Sequence, residues 1–509
     1  MNVADILRHT VKLHADKIAL TSPAGQFTYA ELGANCDALG RALYELGLQS
    51  GDRVAILDFN SPEVCQAVFA IPASGLMVLP LNFRLARPEL ASILADAETS
   101  VLIYSPDFGE VADGLLSELP FLQHMVCTRP RNSSTDLRTL VEKAPDLALP
   151  EPRPEEPAQL LYTSGTTGRP KGVPLTHANV TSTLRSLLIE FGLRSEDRGL
   201  MVAPLFHVAA CHTYMALIAC GCAVTVLPAF DPRKTLEAIA DKRPTFTILV
   251  PAMISALLNT PGQESLDLSS LRLIVYAGAP MPPELLKRAM ERFGNVFLQV
   301  YGLTETSALT CLRVEDHLDS RLIASAGRQM FGTEALVVDE SGAPAAAGSI
   351  GEVIARGENV TPGYWNAPEE TRAVLRNGWF HTGDVGFADA KGYIFLRDRK
   401  KDMIVSGGEN VYPVEVENVL HENPLILEAA VIGVPDERWG ERVHAIVHFR
   451  PGEWMDPEEI ISYCRGRLAG YKCPKSIEVS GALPRTPSGK VQKNVLRAAH
   501  WKGRDRGIS

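Results

Sequence analysis

From residue 18 to residue 110, short unbroken apolar runs take turns with stretches in which apolar residues recur at helical spacing. Val54-Ala55-Ile56-Leu57, Val78-Leu79-Pro80-Leu81 and Val101-Leu102-Ile103-Tyr104 read as strands, and 62–70 and 88–95 as the helices between them. Such alternation predicts parallel sheets covered on both faces. The pattern pauses over 129–157, a stretch rich in Pro, Glu and Asp that reads as a connection. It resumes with apolar strands at 223–227, 246–250 and 273–277 and helices at 232–241, 251–258 and 282–293, a second doubly wound unit. From about 326, short strands separated by glycine turns predict a β-rich subdomain. Charge density jumps over Leu396-Arg397-Asp398-Arg399-Lys400-Lys401-Asp402, and beyond it helices at 413–421 and 457–468 accompany strands at 429–434 and 443–449. The expected fold is α/β. A large N-terminal domain (1–400), of two doubly wound sheets plus the β-rich subdomain, joins a small α+β C-terminal domain (401–509).

One stretch tests that reading. Residues 199–230 hold no Asp, Glu, Lys or Arg and are long enough to cross a bilayer. Pro204, Gly221 and Pro228 break the run, and His207 and His212 lie within it, so a buried strand–helix–strand unit is expected instead. Residues 1–14 read as a short amphipathic helix without the apolar region of a secretory leader, which points to a cytoplasmic protein. At 509 residues the chain can bury a large core, and its 46% hydrophobic and 22% charged residues are ordinary for a globular protein. The net charge of −10 and the lack of a basic block argue against a nucleic-acid partner. Nine cysteines are scattered without metal spacing and read as reduced, buried thiols.

The candidate chemistry centres on Leu161-Tyr162-Thr163-Ser164-Gly165-Thr166-Thr167-Gly168-Arg169-Pro170-Lys171-Gly172. Hydroxyls, glycine backbone N–H groups and one ammonium in a loop suit phosphate oxygens. The loop follows the strand-like Leu160-Leu161 and precedes Thr176, a candidate helix cap. It is no Walker A: Gly165 and Gly168 are three apart, and Lys171 is followed by Gly172. On residues alone a plain surface turn stays open. Elsewhere, Glu305, in Val300-Tyr301-Gly302-Leu303-Thr304-Glu305-Thr306 just past the apolar 296–298, either faces a phosphate-bound Mg²⁺ or is an acidic residue in a polar loop. Gly278-Ala279-Pro280 ends a strand where glycine would let a flat ligand approach the backbone, or is a simple strand-to-helix turn. Asp384, after Gly378-Trp379-Phe380-His381-Thr382-Gly383, could take both hydroxyls of a ribose or close a β-turn. Lys490 closes the rigid turn Pro484-Arg485-Thr486-Pro487-Ser488-Gly489, which on composition alone reads as a solvated loop.

These motifs, in this order over 161–490, together resemble the adenylate-forming superfamily of acyl-CoA synthetases, peptide-synthetase adenylation domains and beetle luciferases. The resemblance covers essentially the whole chain. It implies an ATP-dependent acid–CoA ligase with ATP, Mg²⁺ and coenzyme A, forming acyl-AMP and pyrophosphate, then acyl-CoA and AMP. Carried over residue by residue, Thr163, Ser164, Gly165, Thr166, Thr167, Gly168 and Lys171 would cradle phosphates. Tyr301 would lie by the adenine, with Gly278, Ala279 and Pro280 flanking it. Thr304 would contact phosphate and Glu305 bind the metal. Asp384 would hold the ribose, Arg399 reach the nucleotide, Gly408 line the pantetheine path, Lys401 act as hinge and Lys490 complete the adenylation site. Val405 and Asn410 depart from residues common in the family, which bears on how the adenylate or CoA is anchored.

The same resemblance implies an acid pocket drawing on His207, Ala209, Thr213, Ala277, Gly278, Val300, Gly302, Ser307 and Ala308, a small and mostly apolar set. His207 would gate the thiol or bind substrate; a buried structural histidine is the alternative. Amino-acid-activating relatives carry an aspartate near this position, and Val208-Ala209-Ala210-Cys211-His212-Thr213 offers none. A buried ammonium there would lack a partner. A fatty or aryl acid is therefore expected. No carrier segment follows Ser509, which points to free CoA as acceptor. An enzyme loading an acyl carrier protein and a non-catalytic nucleotide- or adenylate-binding protein stay as alternatives. A homodimer is compatible with the sequence, which does not fix the oligomeric state.

Overall fold

The computed structural model describes residues 1–131, 135–163, 170–399, 402–406, 409–436, 438–486 and 490–501, and of 398 and 399 the backbone alone. The alternating pattern folds into two largely parallel sheets. In the seven-stranded sheet the order is Thr135–Asp136, His124–Cys127, Val101–Tyr104, Arg53–Leu57, Met77–Pro80, Pro157–Thr163 and Lys171–Thr176. All pairs are parallel except the last, an antiparallel hairpin at one edge. In the nine-stranded sheet, parallel strands Ala223–Val226, Arg198–Met201, Phe246–Leu249, Leu273–Ala277 and Phe297–Leu303 form the centre.

The helices between them form because their apolar faces must be covered. Helix Pro62–Ala73 starts on a serine cap, with Ser61 Oγ accepting from Val64 N–H at 3.2 Å. Helix Val208–Ala219 is buried almost all round, and helix His177–Phe191 packs on it. Residues 199–230 are thus the strand–helix–strand unit expected, and among the described residues no helix is long and apolar enough to cross a membrane.

Three local expectations need correction. The stretch 129–157 is not a bare connection, since it contributes a short edge strand and helix Leu137–Glu142. Polar composition hid them because Leu137 is the only buried residue of that helix. Strand Ile18–Ser22 does not join the first sheet but pairs in parallel with Ala223–Val226 of the second. Phe297–Leu303 runs on through Tyr301 and Gly302 instead of stopping at 298, then turns back antiparallel into Ser307–Leu312.

The β-rich subdomain is an antiparallel five-stranded sheet of Thr333–Val338, Gly351–Gly357, Trp379–Ala388, Leu375–Arg376 and Ile394–Arg399. A last sheet is built wholly from 404–479, where Gly440–Phe449 lies between Ile426–Asp436 and the parallel Ser476–Val479. Its own buried cluster includes Ile404, Val431, Val443 and Ile460. Arg397 Nη1, on the sheet before it, reaches Glu415 Oε1 at 2.7 Å, and Lys472 Nζ holds the other oxygen at 2.5 Å.

Candidate active site

A cleft of about 1740 Å³ runs between the strand ends of the nine-stranded sheet, the β-rich sheet and the C-terminal domain. Strand ends are where side chains can leave a parallel sheet for a crevice. Thr163 and Lys171, facing partners at the end of the edge hairpin, are on its wall. Ser164, Gly165, Thr166, Thr167 and Gly168, which join them, lie outside the described residues, as do Lys401 and Gly408.

Glu305 sits in the turn after Phe297–Leu303, where Leu303 N–H donates to Thr306 Oγ1 at 3.0 Å. Tyr364 Oη donates to Glu305 Oε1 at 2.8 Å, and Lys171 Nζ stands 5.0 Å from the centre of the Tyr364 ring. A carboxylate and a hydroxyl are thus paired on the wall, with an ammonium over the tyrosine ring and Thr304 in the same lining. A hard carboxylate oxygen of this kind suits Mg²⁺ held by phosphates.

The segment 359–366 brings the two hairpins together. Thr361 N–H donates to Glu305 O at 2.8 Å and its Oγ1 to Pro174 O at 2.6 Å. Trp365 N–H donates to Gly172 O at 2.8 Å, and a Cβ on Gly172 would crowd the Trp365 Cβ at 2.9 Å. Asn359, fully buried, donates to Thr306 O at 2.6 Å.

Tyr301 Oη donates to Asp384 Oδ2 at 2.6 Å across the two sheets. Asp384 N–H is held by Thr382 Oγ1 at 3.0 Å, and Thr382 itself by Val353 O at 2.6 Å. Asp384 lies not in a turn but on Trp379–Ala388, in register with Arg399 of the neighbouring strand; the Arg399 side chain lies outside the description. Gly302 is forced by a bulge, for a Cβ there would overlap the carbonyl oxygen of Ser307. Gly278 has φ +83° at the end of Leu273–Ala277, leading into Ala279 and Pro280 on the same wall.

His207 leads into helix Val208–Ala219. Its ring lies on Phe206 (centroids 4.4 Å apart), and buried Nε2 makes no hydrogen bond among the described residues. Burial, reinforced by the charge of Arg84, pushes its pKa down to about 4, so the ring is neutral near pH 7. Asn60 fixes this loop, accepting from Leu205 N–H at 2.9 Å and donating to Ala203 O at 3.0 Å. The predicted acid-pocket residues Ala209, Thr213, Ala277, Val300, Ser307 and Ala308 all border the same cleft. His212 borders it too, with Nε2 3.0 Å from Gln159 Oε1.

Lys490 reaches the cleft from the C-terminal domain. Its turn is closed by Thr486 N–H to Lys490 O at 2.6 Å and Lys490 N–H to Thr486 Oγ1 at 3.1 Å. Tyr364, Asn359 and Asn60 escaped the sequence reading. Proline and glycine before Tyr364 marked a turn, but nothing in spacing ties it to a glutamate 59 residues away.

The family model described as AMP-binding enzyme matches residues 7–365, and the AMP-binding enzyme C-terminal domain matches 415–490. The chain belongs to the AMP-binding enzyme family. It is 42% identical to a feruloyl-CoA synthase of an Amycolatopsis species, over 92% of this chain and 93% of that one. It is 37% identical to the long-chain-fatty-acid–CoA ligase FadD13 of Mycobacterium tuberculosis, over 97% and 98%. Its structure is similar to ATP-bound MatB from Rhodopseudomonas palustris, with a TM-score of 0.90 and 31% identity over 98% of this chain and 99% of that one. Against apo MatB, at the same identity and coverage, the TM-score is 0.79. This AMP-binding enzyme thus matches the ATP-bound form of that relative better than its apo form.

Proposed function

We propose that this AMP-binding enzyme is an acid–CoA ligase for an apolar carboxylic acid, with aryl acids as the preferred class. One observation carries the reading: a single cleft collects Lys171, the Glu305–Tyr364 pair, the Tyr301–Asp384 pair and Lys490 around an apolar recess. In the first half-reaction a carboxylate oxygen attacks the α-phosphorus of ATP and pyrophosphate leaves. Two anions must meet in line, so positioning and charge neutralisation dominate the barrier. Thr163, Lys171 and the loop between them would hold the β- and γ-phosphates. Glu305 would hold Mg²⁺, which when bound offsets phosphate charge, and Tyr364 orients its carboxylate. Asp384, itself oriented by Tyr301, would take the ribose hydroxyls, with Gly278, Ala279 and Pro280 along the adenine. Lys490 would meet the carboxylate and α-phosphate as charge redistributes. In the second half-reaction the CoA thiol attacks the acyl carbon and AMP leaves. Lys490 would then withdraw as the 401–509 domain turns about Lys401. Neutral His207 would border the reacting carbonyl without adding charge.

Two features favour an aryl acid. The feruloyl-CoA synthase shares more identity with this chain than the fatty-acid ligase does. The recess is also bordered by His212, held by Gln159 behind it, a polar ring that substituents of an aryl acid could meet. The fatty-acid reading rests on the second relative and on the otherwise apolar wall.

The test is pyrophosphate release with ATP and Mg²⁺ over a panel of hydroxycinnamic, benzoic and fatty acids, with and without CoA. Acid-dependent release, followed by a CoA thioester and highest with aryl acids, is expected. Highest turnover with fatty acids would overturn the class. Release with transfer only to a phosphopantetheinyl carrier protein would overturn the acceptor, and no release with any acid would overturn the ligase reading.

A further inference from the structure

Away from the cleft, the C-terminal domain gathers His444, Glu478 and His500. His444 lies on Gly440–Phe449 and Glu478 on the neighbouring Ser476–Val479. His500 follows the helix Lys493–Ala498. One ligand atom from each lies within 4.8 Å of the other two. His444 Nε2 stands 3.5 Å and His500 Nε2 3.9 Å from Glu478 Oε2, and the imidazole rings are 5.0 Å apart between centroids.

The decisive side chain is His444. It is 93% buried, and its Nε2 faces Glu478 Oε2 at 3.5 Å without a well-formed hydrogen bond to any described residue. A buried polar atom left this way is uncommon and calls for an explanation. Its other nitrogen, Nδ1, is 2.7 Å from Ser476 Oγ, the residue paired with it across the strands. With Nδ1–H donating to that hydroxyl, the Nε2 lone pair points at Glu478 and His500. An imidazole oriented by a hydrogen bond through its second nitrogen is how protein metal ligands are commonly fixed. Arg442, on the same strand, is turned to Asp436 at 3.9 Å.

We propose that His444, Glu478 and His500 form a binding site for a divalent transition metal of the Zn²⁺ class. Two imidazoles and one carboxylate make a net donor charge of −1 and match a three-ligand zinc set, with water in the fourth position. Imidazole selects such a metal over Mg²⁺ or Ca²⁺, which take oxygen donors. Donors around a tetrahedral zinc are about 3.3 Å apart, given metal–ligand bonds near 2 Å. The observed spacings need only small rotations of the exposed Glu478 and of His500. The ion would pin the C-terminal helix to the sheet. That helix already carries Lys493, paired with Glu417 at 2.9 Å, and Arg497, paired with Asp402 beside the proposed hinge.

The experiment uses the full chain without an affinity tag, stripped by chelator and free of nucleotide. Zn²⁺ is titrated by calorimetry, and Co²⁺ by its visible absorption as a second probe. One equivalent of Zn²⁺ should bind at micromolar concentration, raise the melting temperature and, as Co²⁺, give the absorption of a four-coordinate N/O site. His500→Ala and Glu478→Gln should each weaken binding about 100-fold, and Ser476→Ala about tenfold. All three should keep wild-type ATP–pyrophosphate exchange, which certifies their fold. No micromolar binding by the wild type, or equal binding by wild type and variants, would overturn the site.

Discussion

The two walls that meet in the cleft are built in different ways. The N-terminal wall is a set of strand ends and hairpin turns stitched together by buried bonds. Asn359 holds the turn after Glu305, Thr361 ties that turn to the edge hairpin, and Tyr301 joins Asp384 across two sheets. The C-terminal wall carries Lys490, an exposed residue joined to Thr486 by two bonds. A stitched wall keeps its donors in place without reorganisation, which is what binding a nucleotide through two half-reactions needs. A residue held through its own domain can be carried in and out with that domain. On the proposed mechanism the first wall would serve both half-reactions, and the second would serve one.

Lys490→Ala breaks that comparison most sharply. Adenylation should fall on the order of 10²–10³-fold, the usual loss when a charge-stabilising donor is removed. Thiolation of a supplied acyl adenylate should stay near wild type. Single-turnover assays of the two steps check this, and equal loss of both would remove the division of labour.

Gly302→Ala strikes the stitched wall. The new Cβ would overlap the Ser307 carbonyl, and Ser307 already has φ +49°. The bulge must open, with a cost above about 3 kcal/mol. A large drop in melting temperature is expected, together with loss of both half-reactions. A melting temperature within a degree of wild type would show that the wall yields where it is drawn as rigid.

Acid should also weaken the domain that carries the stitched wall. His177, His207 and His212 are buried in the N-terminal domain, and burial lowers each to about 4 from an ordinary 6.5. Because the folded values are depressed, the unfolded chain binds protons first as pH falls below 6.5. Stability present above that value is therefore lost progressively towards pH 4. Burial raises Asp58 to about 6, which works in the opposite sense, one group against these three and His317, which burial also lowers. Calorimetry should show a melting temperature falling steadily between pH 6.5 and 4.5, and a flat profile there would refute the balance.

How far all this was legible in the sequence follows from range. Strands such as Val101–Tyr104 and helices such as Pro413–His421 are local patterns, and they emerge within a residue or two of the reading. Thr176 caps its helix as expected, accepting from Asn179 N–H at 3.1 Å. Motif residues such as Asp384 and Glu305 could be named from the sequence because each motif is contiguous, and both line the cleft. What escaped were contacts between distant segments. The pairing of Ile18–Ser22 with Ala223–Val226 is decided by which edge lies uncovered, not by local pattern. Asn60 looked like any loop asparagine until the loop holding His207 closed over it.

Tyr364→Phe gives the smallest and most discriminating effect. It removes one hydroxyl and keeps the ring beside Lys171. The bond lost goes to a carboxylate, so about 1.5 kcal/mol is at stake, roughly a tenfold change. If Tyr364 only orients Glu305 within the stitched wall, the half-saturating Mg²⁺ concentration should rise several-fold while the rate at saturating Mg²⁺ stays near wild type. The same shift should appear whether or not CoA is present, because the wall is common to both steps. A fall in the saturating rate with unchanged Mg²⁺ dependence would mean that the hydroxyl acts on the substrate itself. Tyr364 would then belong to the reacting centre and not to its support.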